Sequence, residues 1–108
     1  MSRATIPIGG DFDLFVTGWS RRDTGAYLNS ATVTYALYAS DMTTAVSGGT
    51  GTLAYVAASD GNYLGRVEST VTATLTPGAI YWAKVVATNG TYDDTRWLDF
   101  WADRRGRT

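Results

Sequence analysis

Apolar and polar residues alternate along this chain in short runs, each broken by Gly, Asp, Asn or Pro, and no segment sustains a helical period. A period of two over runs of this length predicts strands with one face inward and one outward. The first is a short strand near Thr5 to Ile8, followed after Gly9-Gly10 by a strand at Asp11 to Thr17. In the latter Phe12, Leu14 and Val16 share one face and Asp11, Asp13 and Phe15 the other. Arg21 to Ser30 is polar and reads as loop. Ala31 to Ala39 carries Val33, Tyr35, Leu37 and Ala39 on one face and Thr32, Thr34, Ala36 and Tyr38 on the other. Ser40 to Gly51 reads as a loop with at most a short edge strand around Thr44 to Ser47, and the glycine-rich Gly48 to Thr52 as a mobile connection.

Two hairpins close the pattern. Thr52 to Ala58 and Asn62 to Ser69 flank Ser59-Asp60-Gly61, and Ile80 to Thr88 and Tyr92 to Ala102 flank Asn89-Gly90, a pair that accepts the positive φ angles of a tight hairpin turn. The count is six or seven strands. Composition agrees: Thr, Val, Tyr, Trp, Ala and Gly dominate and strong helix formers are scarce. At 108 residues the chain forms one domain, 1–108, with a short N-terminal segment and an Arg-rich tail at 103–108. Its opening Met1 gives the expectation of a complete small protein.

Charge and side-chain chemistry narrow the function. Cysteine and histidine are both absent, which removes disulfides, thiolate sites, the usual general base and the commonest metal ligand. A formal charge of −1 without a basic stripe argues against nucleic acid as partner. The cluster Arg104, Arg105 and Arg107 reads as a solvated end. No stretch matches a signal peptide or approaches the roughly 18 apolar residues of a membrane span. Asp11, Asp13, Asp93 and Asp94 lack the spacing of a calcium loop, and the last two read as solubilising residues after a turn. Asp13 and Glu68 offer no arrangement for acid–base catalysis. The expectation is a non-enzyme with no cofactor and no metal.

Two features carry the positive reading. Leu75, Pro77 and Tyr81 precede a strand whose Ala83, Val85 and Ala87 alternate. This spacing resembles the tyrosine corner of Greek-key sandwiches, in which a tyrosine covers the sheet edge and returns its hydroxyl to backbone a few residues upstream; the plainer alternative is a tyrosine that merely begins a strand. The resemblance implies an immunoglobulin-like or fibronectin III-like antiparallel Greek-key β-sandwich, outside the antibody branch because the cysteine pair is missing. More loosely, the opening IPIGGDFDLFVTGW, the DGNYLGRV hairpin with Gly61 and Tyr63, and the closing LTPGAIYWAKV resemble small β-sandwich proteins of tailed bacteriophages. That resemblance implies a neck, tail or baseplate component of a virion, assembled in the host cytoplasm with copies of itself or with neighbouring virion proteins.

If Tyr81, Ala83, Val85 and Ala87 face the core, Trp82 faces out. On the next strand either Arg96, Leu98 and Phe100 or Trp97, Asp99 and Trp101 face in; the second choice buries Asp99 between two tryptophans, so the first is favoured. Trp82, Trp97 and Trp101 then share one outer face, with Phe15 and Tyr38 of matching parity. Such an aromatic face marks a docking surface for protein or, alternatively, a carbohydrate-binding surface.

Overall fold

The computed structural model describes residues 4–104, and within them the protein is all-β. Seven strands form the sheet: β1 (Ala4–Ile8), β2 (Phe12–Val16), β3 (Thr32–Ala39), β4 (Ala45–Tyr55), β5 (Tyr63–Val67), β6 (Ile80–Asn89) and β7 (Tyr92–Arg104). One helical turn, α1 (Ser69–Thr72), joins β5 to the crossing that leads into β6. The strand order is β1-β7-β6-β3-β4-β5-β2, and the sheet curls until it is nearly barrel-shaped. Its end strand β2 approaches β7, next to the other end, through Phe12 and Phe100, whose rings meet edge to face with centroids 5.1 Å apart.

Alternation decides what lies inside. Leu14 and Val16 on β2, Val33, Tyr35 and Leu37 on β3, and Tyr81, Ala83, Val85 and Ala87 on β6 are buried in one apolar cluster, closed by Phe100 and Ala102 from β7. Burying a large apolar side chain is worth about 1.5–3 kcal/mol. A one-residue slip of any of these strands would turn its whole set to solvent, so the pattern fixes the register as well as the fold. The β6–β7 hairpin forms, but its turn is one residue later than expected: Asn89 ends β6 opposite Tyr92 without a positive φ, and Gly90, at φ 62°, makes the turn with Thr91.

The structure departs from the expected pattern in five further places. The pairing is mixed rather than wholly antiparallel, because β1 runs parallel to β7; the two strands come from opposite ends of the chain, so no short turn forces them to be antiparallel. Residues 45–51, expected as loop, begin the eleven-residue β4, and Gly48 to Thr52 is strand rather than a mobile connection. Gly51 is there for space: a Cβ at this position would lie 2.9 Å from the Tyr35 ring, so glycine lets that ring pack beneath β4. The strand after it ends at Tyr55, not Ala58, and residues 56–62 make a wide loop closed by Val56 N–H donating to the Asn62 carbonyl. Asp60-Gly61 is therefore no tight turn, because Gly61 is drawn away to Trp19. The chain after Val67 turns into α1, where fully buried Thr72 donates its hydroxyl to the Gly10 carbonyl and accepts from the Gly9 N–H. Finally, β7 continues through Asp103 and Arg104, so the expected tail at 103–108 begins later; Arg105 and Arg107 lie outside the described residues.

Candidate docking face and its supports

The outer face of β3, β6 and β7 gathers the aromatic side chains. Tyr38 pairs with Trp82 across β3 and β6, and Lys84 pairs with Trp97 across β6 and β7. Trp97 leans diagonally over β6: its ring lies 6.5 Å from that of Trp82, nearly perpendicular to it, and 5.7 Å from that of Tyr38. The Lys84 ammonium sits 5.8 Å from the centre of the Trp97 ring. Each ring pair adds about 0.5–1.5 kcal/mol beyond its buried area, and an exposed cation over a ring about 0.5–1 kcal/mol, so the group holds its shape without a partner. Even so, Trp97 remains 36% and Trp101 39% exposed. Trp101 shares the outward parity of Trp97 and lies between Ile80 on β6 and Thr5 on β1.

The register choice made on Asp99 therefore holds. Phe100 is buried, Leu98 packs on the core, and Arg96 lies at the rim. Phe15 is outward as well, at 48% exposure, but it stands on β2, six places from β1 in strand order, directly opposite exposed Leu64 on β5. Ring contacts join Tyr38, Trp82 and Trp97, with Trp101 of the same parity on β7, while Phe15 stands opposite Leu64.

Beside the aromatic group a shallow groove of about 480 Å³ crosses the outer face of β3, β4 and β6. Thr34, Ala36, Thr50, Thr52, Tyr38 and Lys84 are among the residues that line it. Beside it, the register between β3 and β4 slips between Ala36 and Tyr38, the mark of a bulge in the longer strand.

The Leu75–Tyr81 crossing has the bond its spacing implies. Leu75 and Tyr81 are buried, Pro77 is exposed, and the Tyr81 hydroxyl accepts from the Thr76 N–H at 2.8 Å. Tyr63 does the same elsewhere: fully buried, it accepts from the Ala31 N–H and donates to the Leu28 carbonyl, pinning the long loop between β2 and β3.

Sequence reasoning left one anchor unassigned. Trp19, within that loop, is fully buried, although it follows a strand whose inward positions are even-numbered. Its indole N–H donates to Asp94 Oδ2 at 2.9 Å, and the Arg96 guanidinium lies 4.8 Å above its ring. The available signal was its place as the one tryptophan in the polar stretch between Val16 and Leu28. Asp94 is correspondingly not a solubilising surface acid: its side chain is only 12% exposed and Arg22 approaches within 3.6 Å. The indole N–H holds the Asp94 carboxyl below its ordinary value against the opposing effect of burial, helped by the Thr95 N–H, Arg22 and Arg96. A carboxyl depressed on folding stabilises the protein above its unfolded pKa of about 3.9, and that contribution fades as pH falls through the folded value. Asp41 adds to the acid sensitivity, held at about 2 chiefly by the Thr44 hydroxyl and the Thr43 and Thr44 N–H groups. Urea unfolding followed below pH 4 should show wild type losing stability with acid and Asp94→Asn losing less over the same interval. Equal slopes would remove Asp94 from the account.

Asp11 and Asp13 face Arg66, with Asp13 Oδ1 3.1 Å from its Nε, in exposed contacts worth little. Among the described residues no group of three or more acidic side chains converges to hold a metal ion, and no helix is long and apolar enough to cross a membrane. No family model, curated protein or solved structure matches the chain.

Proposed function

We propose that this chain is a non-enzymatic structural domain that assembles through the aromatic outer face of β6 and β7. The observation that carries this reading is a set of large rings held outward on interior strands, stiffened by mutual contact yet left exposed at Trp97 and Trp101. Tryptophan and tyrosine at the centre of an interface supply most of its binding energy, and rings fixed in advance lose little freedom on docking. The partner is a second copy of the chain or a neighbouring virion protein; the virion setting, with assembly in the host cytoplasm, rests on the resemblance to phage β-sandwich proteins. The fold is proposed to be a variant of the immunoglobulin-like Greek key. That is supported by the β7-β6-β3 and β5-β2 pairings, by β4 pairing with both β3 and β5, and by the Tyr81 bond to Thr76.

Light scattering on a size-exclusion column, over a range of concentrations, tests the assembly. Wild type should give a discrete oligomer. Trp97→Ala should weaken association by about 2 kcal/mol or more, some thirtyfold, while the variant still folds, with a melting temperature lowered by the ring and cation contacts it loses. A wild-type monomer at every concentration would overturn self-assembly. Outright unfolding of Trp97→Ala would place that ring in the core.

A further inference from the structure

We infer that the groove across β3, β4 and β6 is a binding site for a short saccharide bearing a carboxylate. Its volume of about 480 Å³ lies within the range of roughly 300–1,000 Å³ typical of small-ligand sites. Its chemistry comes from side chains alone. Both edges of β3 are paired, to β4 and to β6, so an extended peptide cannot add to the central strand of the groove. What it offers instead is a row of hydroxyls: Thr34, Thr50 and Thr52 are exposed, and among the described residues none hydrogen-bonds their side chains. Each hydroxyl both donates and accepts, the pairing that sugar hydroxyls require. Among the lining residues the Tyr38 ring, backed by Trp97, presents an apolar surface for the C–H face of a pyranose. Charge sets the final requirement. Among the described residues Lys84 is the single charged side chain lining the groove and no carboxylate lines it, and the Lys84 ammonium is steadied over the Trp97 ring. An acidic group on the ligand satisfies that cation, whereas a nucleic-acid strand needs a track of them.

The inference goes beyond the assembly reading and does not require it. The test begins with an array of di- to tetrasaccharides, neutral and uronate- or sialate-bearing. Titration calorimetry then compares the tightest acidic ligand with its uncharged counterpart, at a protein concentration where light scattering reports monomer. The acidic sugar should bind about tenfold more tightly or better, Lys84→Met should erase that difference, and Thr50→Val/Thr52→Val should weaken both ligands about tenfold. Thr88→Val, on the same strand face but outside the groove, should change neither; thermal melts verify that each variant is folded. Absence of saccharide binding, or equal binding of both ligands unaffected by Lys84→Met, overturns the inference. So does tight binding that survives the double threonine change. Because the titration is made on monomer, its failure leaves the assembly reading standing, and a monomer at high concentration overturns assembly without touching the groove.

Discussion

Trp19→Ala is expected to destabilise the protein by about 4 kcal/mol, a large part of the roughly 5–15 kcal/mol that holds a domain of this size folded. Three losses coincide. The largest fully buried side chain disappears from within the loop between β2 and β3, leaving a cavity that paired strands cannot collapse around. The Arg96 guanidinium loses the ring beneath it, and the largely buried Asp94 carboxylate loses its indole donor. Trp19→Phe separates these terms: it keeps a ring and removes the N–H, and should cost about 1–3 kcal/mol. Urea unfolding followed by circular dichroism measures both variants. A cost below about 1.5 kcal/mol for the alanine variant would mean that the loop, not the indole, organises this end of the sheet.

Gly61→Ala is the second large effect, at about 3 kcal/mol or more, from the smallest possible change of side chain. Gly61 has φ 71°, where an L-residue is strained by roughly 1–2 kcal/mol. Space adds the rest. A Cβ here would lie 2.6 Å from the Trp19 backbone nitrogen and closer still to its carbonyl oxygen. Those atoms cannot easily yield, since the Trp19 N–H donates to the Gly61 carbonyl and the Trp19 carbonyl accepts from the Leu28 N–H. Gly90→Ala is the matched comparison, with φ 62° and nothing within 4 Å of the added atom; it should cost only the backbone strain. The difference between the two denaturation midpoints isolates the steric part. Equal costs would show that the loops carrying Trp19 and Gly61 move apart without loss.

Both effects arise where the chain was least readable. Gly61 looked like half of a hairpin turn because Asp-Gly between alternating runs is a local signal, whereas its conformation is imposed by a tryptophan 42 positions earlier. Gly48 to Thr52 looked like a connection for a similar reason. Glycine has low strand propensity, and the need for it appears only in the fold, where Gly51 leaves room for the Tyr35 ring and Gly49 for Leu37. The docking face was more legible. Tyr81 to Ala87 and Arg96 to Phe100 alternate so regularly that parity, with the cost of burying Asp99, placed Trp82, Trp97 and Trp101 on one side. The same parity rule classified Phe15 as outward but gave no lateral position, so it could not foresee that Phe15 stands opposite Leu64.

The sequence by itself determined the all-β class, the inward and outward faces of β2, β3, β6 and β7, and the hairpin that turns at Gly90, because these follow from a period of two and from the φ range of a few residues. Tertiary structure alone decided that β1 lies parallel to β7, that β4 reaches from β3 to β5, that Trp19 and Asp94 are anchors, and that Trp97 leans over β6 toward Tyr38. The physical reason is one of range. Alternation and turn chemistry are properties of neighbouring residues, whereas strand order, cross-sheet packing and the partner of a buried polar atom depend on residues dozens of positions apart that meet only when the sheet curls.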